Sequence, residues 1–374
     1  MKGLPRRRIA LKALLHAGLV LVTTAVPAQD PAYAGTHEAE AGAPHAEAPK
    51  EFNAGELIME HIGDAHSFHV VGHVSVPLPV ILWTDGGLES FSSARLMNEH
   101  HAPVPYQGKF HTYLLEHEKI KVLDAAGNVD ANASVVDLSI TKNVFSLLLS
   151  VALLLIIFLG VARSYARRPG QAPKGLQSLL EPVILFVRDN IARSAIGHKP
   201  DRWVPYLLTL FFFIWINDLI GLIPLFPFGA NVTGNIAVPL VLATTTLLIV
   251  TFVANWHYWR HMLAMPGIPI PVLVILTPIE IMGHFIRPIV LVIRLFANIM
   301  AGHIVLLVFF CLIFIFSKNG ESLIGGYATG PFALLFTVFV NCLELLVAAL
   351  QAYVFTLLTA IYIGNATHVA HDHH

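Results

Sequence analysis

Arg294 and His303 are the only ionisable residues between Pro288 and Phe316, a run that is otherwise apolar apart from Asn298. A guanidinium keeps its proton in a protein. At the centre of a bilayer it costs about 2.5–3.5 kcal/mol by insertion scales. An arginine in such a run therefore needs an acidic partner, water or a task; a headgroup anchor and a structural ion pair are the plainer roles. A second apolar run, Pro331–Ile363, carries Glu344 and Gln351. Upstream, Glu280, His284 and Arg287 are spaced i, i+4, i+7, which puts them on one face of a helix. Histidine and carboxylate exchange protons, whereas arginine holds a fixed charge and does not. Along buried helices this combination is the chemistry of proton movement.

The elements that position these residues are membrane helices. The chain has 374 residues, 55% hydrophobic and only 13% charged, against about 25% charged in soluble domains. Asn143–Val161 is long enough to span a bilayer, and Arg163, Arg167, Arg168 and Lys174 follow it, which marks a cytoplasmic end. Leu176–Ile196 mixes apolar residues at helical spacing with Glu181, Arg188, Asp189 and Arg193, the pattern of an amphipathic surface helix. Tyr206–Phe226 is the second span, with Asn217 and Asp218 late in it. Ala237–Trp256 is the third, entered past Thr233-Gly-Asn235 and closed by His257, Arg260 and His261. The proline-rich stretch His261–Pro271 reads as non-helical.

Pro288–Phe316 as a helix is about 43 Å long and Pro331–Ile363 about 50 Å, against a hydrocarbon core of about 30 Å. Both must tilt or kink. Ser317–Gly330 reads as the turn between them, making an antiparallel hairpin. Counted from Ser322, Arg294 lies 28 residues back and Gln351 lies 29 forward; His303 lies 19 back and Glu344 lies 22 forward. Arg294 and Gln351 thus share a middle layer, and His303 and Glu344 share one nearer the turn. Cys311 and Cys342 fall in apolar runs and read as buried small hydrophobes.

Before Asn143 the pattern changes. Arg6-Arg7-Arg8, the apolar segment Ala10–Val26 and Ala32-Tyr-Ala34 have the layout of a signal peptide over residues 1–34. Thr36–Lys50 has little to bury and reads as a disordered linker. Phe52–His61 reads as a short amphipathic helix. Ser67–Pro77, Pro77–Trp83, Tyr113-Leu-Leu and Lys119–Leu123 read as strands, with a turn at Asp85-Gly-Gly87. Residues 35–142 are thus an extension with a small β-rich element. Its histidines, among them His66, His69, His73, His100 and His117, lack the spacing of a metal motif, so no metal is expected.

The residues Arg294-Leu-Phe-Ala-Asn298-Ile-Met-Ala-Gly302-His303, followed by Gln351-Ala-Tyr-Val-Phe-Thr-Leu-Leu-Thr-Ala-Ile-Tyr362, resemble subunit a of the F-type ATP synthase, the membrane stator protein beside the rotating ring of c subunits. The resemblance runs from about Asn143 to about Gly364 and leaves the residues before it uncovered. It implies that Arg294 faces the rotor carboxylates and that His303 and Glu344 are the acid–histidine pair of an outer half-channel. Family members carry this pair in either order. It further implies that Asp218 and Asn235 belong to the same outer path and Glu280 and His284 to the inner one, with Asn298 and Gln351 as hydrogen-bonding residues beside Arg294.

The fold class expected is an all-α polytopic membrane protein: five transmembrane helices after a signal peptide, the last two a long tilted hairpin, with a small β-rich extramembrane extension over residues 35–142 and the membrane domain over 143–374. The resemblance implies the c-ring and the peripheral stalk subunit b as partners and H⁺ as the translocated ion. It implies no cofactor and no nucleotide chemistry in this chain. The setting expected is a bacterial inner membrane, with the extension periplasmic and the C-terminus cytoplasmic. Two other classes compete. A secondary ion transporter needs alternating halves, and no internal repeat is visible. An intramembrane metalloenzyme would use Glu280, His284, His257 and His261, but Arg287 and Arg294 oppose a cation there. No basic stripe or Walker-type loop points to nucleic acid or nucleotide.

Overall fold

The computed structural model describes residues 54–367, apart from short stretches at 72–73, 99–101, 117, 125–126, 131–132, 134, 198, 224–228, 264, 266 and 319–321. The expected signal peptide, the 35–50 linker and the histidine-rich C-terminal tail lie outside the described residues. The described residues form two compact units, 304–340 with 54–61, and 62–303 with 341–367, which are described separately.

Helix α1 (Ala54–Ile62) leads into eight short strands: β1 (Ser67–Val71), β2 (Val74–Pro77), β3 (Pro79–Thr84), β4 (Gly87–Ser92), β5 (Tyr106–Gln107), β6 (Thr112–Glu116), β7 (Lys119–Leu123) and β8 (Val135–Asp137). β1 and β2 form a hairpin, and two three-stranded sheets run in the orders β4-β3-β8 and β5-β6-β7. All described pairings are antiparallel. The β3–β4 register pairs Thr84 with Gly87, which leaves Asp85-Gly86 as the two-residue turn. Gly87 takes φ +120° there, a conformation open to glycine. Val80, Leu82 and Phe91 turn inward onto Leu96, Tyr113, Leu115 and Val122, the alternation of a half-buried antiparallel sheet. The stretch Ser67–Pro77, expected as one strand, is instead the β1–β2 hairpin; the other expected strands are present, and β4, β5 and β8 enlarge the element. β4 escapes a periodicity reading because its inward position 89 is a glutamate, which Tyr113 satisfies by donating its hydroxyl at 3.0 Å.

His66 clasps this region together. It is 3% exposed; its Nε2 lies 3.3 Å from Asp137 and its Nδ1 3.5 Å from Glu118, and its backbone N–H donates to Glu118 at 3.0 Å. Burial opposes the charged ring, but the hydrogen bonds and charges of Asp137 and Glu118 outweigh it and raise the pKa to about 9. Burial also works against both carboxylates, yet the His66 interactions hold Asp137 and Glu118 below their usual range. His66 contributes its full stability below its ordinary value of 6.5 and loses it as pH rises through about 9. The carboxylates contribute above about 4 and lose it on acidification. Thiol labelling of a Leu82→Cys probe is therefore expected to be about tenfold slower with His66 than with His66→Gln at pH 6. The two rates should converge above pH 9. Equal rates at pH 6 would remove the clasp.

The membrane portion comprises α2 (Lys142–Arg167), α3 (Leu176–Leu185) continued by a π-helical stretch Phe186–Arg193 and Ser194–Ile196, α4 (Val204–Gly221), α5 (Ala237–Val253), α6 (Trp256–Leu263), α7 (Ile270–Phe316) and α8 (Leu323–Thr367). Four helices are long and apolar enough to cross a membrane, or up to five when α5 and α6 count as one broken span. The third span was expected to run to Trp256. It ends at Val253 and turns by 102° into α6. Asn255 holds the turn, its backbone N–H donating to Ala366 O at 3.0 Å and its Nδ2 to Thr367 O at 3.1 Å. The stretch expected to be non-helical from His261 to Pro271 shrinks accordingly, since α6 reaches Leu263 and α7 starts at Ile270.

Helix α7 also begins earlier than Pro288, with Pro278 and Pro288 both in its interior. Each proline removes one helical hydrogen bond, but leaving the helix inside a bilayer would expose many more backbone groups. α3 and its π-helical continuation bury Gln177, Val187, Ile191, Ala192 and Ile196, against a core that includes Leu207, Phe211, Leu291, Leu295, Ala352 and Phe355.

Within Ile304–Val340 the two long helices pack antiparallel, with Phe309 and Phe336 stacked at 5.3 Å between ring centroids. Ser322 N donates to Ser317 O at 2.8 Å, and α8 starts at Leu323. The turn is thus tighter than the 317–330 expected. Cys311 is buried, but Cys342 is exposed, which corrects its reading as a buried residue: an apolar run in a membrane helix does not say which face meets neighbouring helices.

Candidate functional site

Near the end of α4, Asn217 and Asp218 are 0% and 3% exposed. The chain returns toward α5 through residues 229–236, where Thr233 donates its hydroxyl to Asp218 Oδ1 at 2.6 Å and Asn231 Oδ1 accepts the Gly234 N–H at 2.8 Å. Gly221, one turn beyond Asp218, faces His303: a Cβ there would lie 3.7 Å from His303 Nε2 and 3.6 Å from Ala230 O. On α7 the Gly302 backbone lies directly against the Glu344 carboxylate of α8, with no room for a Cβ. Asp218, His303 and Glu344, from three helices, are thereby gathered in one region.

Helix α2 adds a polar stripe. Asn143, Ser146 and Ser150 are buried at i, i+3, i+7. Six of the ten buried polar atoms without a hydrogen-bond partner in the described residues lie in these groups: Asn143 Oδ1, Ser146 Oγ, Asn217 Oδ1, Asp218 Oδ2, Asn231 Nδ2 and Glu344 Oε2. A dry buried polar atom costs about 1–3 kcal/mol, and hydration by internal water is the ordinary remedy.

Arg294 is partly exposed, and no hydrogen bond or ion pair engages it among the described residues. Its neighbours Leu291, Leu295 and Ile299 enter the same core as Ala352 and Phe355, which flank the buried Gln351. Asn298, one turn on, is exposed. Ile293 beside it is exposed, and the Arg294 charge acts on Tyr362 of α8.

On the other side of Arg294, Arg287 reaches Glu280 at 3.8 Å and lies over the Tyr362 ring at 5.8 Å. His284 is 7% exposed. Its Nδ1 is 3.0 Å from the Tyr258 hydroxyl and its Nε2 is 3.3 Å from Thr251 Oγ1. Tyr258 comes from α6, so the broken third span supplies the partner of His284.

The structure gathers Asp218, His303 and Glu344, puts the helical neighbours of Arg294 and of Gln351 into one core, and gives Glu280 and His284 partners of their own. Asn235 stands at the start of α5, where its Oδ1 accepts the Ala237 N–H at 3.1 Å; Thr233, rather than Asn235, reaches Asp218. Thr233 as a partner of Asp218, Asn231, the α2 stripe and Tyr258 were missed. Only the stripe had a legible signal, three polar residues at helical spacing in an apolar span. No group of three or more His, Cys, Asp or Glu is placed to hold a metal among the described residues.

Residues 144–364 match the ATP synthase A chain family. The chain belongs to that family. It is 34% identical to ATP synthase subunit a of Pelodictyon phaeoclathratiforme over 98% of this chain and 96% of that one. It is 41% identical to ATP synthase subunit a of Chloroherpeton thalassium over 64% of this chain and 69% of that one. It is 33% identical to ATP synthase subunit a of Anaeromyxobacter sp. over 90% and 76%. The role that goes with this family is that of the a subunit of an F-type ATP synthase, a multi-pass membrane protein acting in a complex with other ATP synthase subunits. Residues 57–138, the β-region, separately match a domain of unknown function, DUF8433.

Proposed function

We propose that this chain is the proton-translocating stator subunit of the complex, offering two offset half-channels to a ring of c subunits, with Arg294 between them. The observation that carries this reading is a half-buried Arg294 with no described hydrogen bond or ion pair, with separate polar groups on either side of it along α7. His284 and His303 are about 28 Å apart by helical rise, close to the hydrocarbon thickness of about 30 Å, and Arg294 lies near the midpoint. Each half of the path is about 14 Å from the arginine, too far for direct proton transfer.

A carrier must close that gap. A ring of carboxylates passing Arg294 supplies one. The guanidinium favours the ionised carboxylate by opposite charge and cannot relay protons itself. A rotor carboxylate therefore releases its proton before passing and takes up another afterwards. Asp218, His303 and Glu344, with Asn235 and the α2 stripe, form the outer path; Glu280 and His284 form the inner one. On this reading Asn298 and Gln351 would serve as hydrogen-bonding groups for the arginine and the passing carboxylate. The basic residues after α2 put its C-terminal end in the cytoplasm, the β-region in the periplasm and the C-terminus in the cytoplasm. The peripheral stalk subunit b holds the chain against the rotor.

Passive proton flux in proteoliposomes tests the reading. With the c-ring and stalk present, the chain is expected to conduct protons; alone, it is expected not to. Conduction by the chain alone would make it a secondary transporter.

A further inference from the structure

The β-region is tied to the membrane portion at two places, and both lie at the polar region around Asp218. The first tie is to the start of α2. Asp64 Oδ1 accepts the Asn143 N–H at 3.0 Å, and Asp64 Oδ2 accepts the Thr141 hydroxyl at 2.8 Å. The Lys142 N–H donates to Ala65 O at 2.8 Å. The second tie is to the loop after α4. Phe68 of β1, Leu78 and Ala230 form one buried cluster, with Val76 and Phe145 packed on it. Phe68 meets Phe145 edge-on at 5.5 Å between centroids. Ala230 is 0% exposed. Its carbonyl accepts the Val232 N–H at 3.0 Å, and Thr233, one residue further, holds Asp218.

The two ties grip different walls. Asn143 starts the α2 stripe, and Ala230 starts the loop that carries Asn231 and Thr233. The hairpin itself is anchored behind: Leu78 N–H donates to His66 O at 3.2 Å and to Ser93 Oγ at 3.0 Å, and His66 is clasped by Asp137 and Glu118.

From these contacts we propose that the β-region is a brace that sets the gap between the α2 start and the α4–α5 loop, and so holds Thr233 on Asp218 at the mouth of the outer proton path. Phe68 and Asp64 are positioning residues that act through Ala230 and Asn143. The inference rests on the reading of Asp218 as a proton-path group and assigns a task to the domain of unknown function. The ionisable groups gathered around that mouth are Asp218, His303 and Glu344, with Asp64 and Lys142 at the first tie and His66, Glu118 and Asp137 behind the hairpin; the Phe68 variants remove none of these charges, so a change in the width of the mouth shows in their dependence of flux on periplasmic pH.

The test uses the whole complex in vesicles, with proton-driven ATP synthesis measured against the pH on the side of the β-region and normalised to assembled complex. Phe68→Ala is expected to lower the rate roughly tenfold, within what a displacement of about an ångström costs, and to shift the pH profile. Phe68→Leu should restore most of both. Asp64→Ala, at the other tie, should shift the profile in the same way. In an Asp218→Asn background, Phe68→Ala should add little, because neighbours in one network are not additive. An unchanged profile in both Phe68→Ala and Asp64→Ala, with Asp218→Asn impaired, overturns the brace alone. A silent Asp218→Asn overturns the reading of Asp218 and the brace with it. If Phe68→Ala does not assemble, Asp64→Ala and Phe68→Leu decide by the same profile.

Discussion

Arg294→Ala is expected to abolish ATP-driven proton pumping in vesicles while the complex still assembles. Removing one preorganised charge from a site that acts electrostatically costs about 10²–10³-fold in rate. A loss at or beyond the upper end is expected, because in the proposed mechanism the arginine would also block direct passage between the two paths. Passive proton leak should rise. Assembly should survive, since Arg294 is only partly buried and no described hydrogen bond or ion pair depends on it. Arg294→Lys is expected to recover little. A lysine is a compact point charge that titrates on burial, so it both binds a carboxylate differently and can pass a proton. Pumping near the wild-type rate in Arg294→Ala would make Arg294 a structural charge.

The second large effect is expected at Gly302, because the space for a side chain there is already taken by the Glu344 carboxylate. Gly302→Ala must push that carboxylate away from the neighbourhood of His303 or part the two helices. Overpacking of this kind costs about 1–3 kcal/mol, which as a barrier is a loss of flux of roughly five- to 150-fold. The double variant Gly302→Ala with Glu344→Asp shortens the acid and reopens the space. Partial recovery of pumping in the double variant is the expected signature. If Gly302→Ala pumps normally, or if Glu344→Asp deepens the loss, the close approach of Gly302 and Glu344 has no part in the proton path.

The contrast between the two sites shows what kinds of residue can be read along a chain. Arg294 is legible because the bilayer makes a permanent charge conspicuous wherever it falls. Glu280, His284 and Arg287 are legible by helical spacing, and the Arg287–Glu280 distance of 3.8 Å agrees with that spacing. Counting outward from Ser322 puts His303 and Glu344 at one level because two helices joined by a short turn must run antiparallel at equal rise. Thr233 and Tyr258 were not legible as partners. Each acts across a chain break, Thr233 from an irregular loop and Tyr258 from a helix turned by 102°, and neither geometry has a period.

By itself the sequence determined a polytopic helical membrane protein, the position of its charged and proton-exchanging residues along the helices, and the strands of the N-terminal region that alternate cleanly. These follow from hydropathy, spacing and length, which are local. Only the tertiary structure decided that α7 runs through Pro278 and Pro288, that Cys342 faces outward, that Asp218 is held by Thr233, and that Asp64 and Phe68 tie the β-region to α2 and to the α4–α5 loop. The physical reason is common to all four. Helix continuation, facing and docking depend on which distant groups satisfy a polar atom or cover an apolar one, and a single chain of residue types does not say which distant groups will meet.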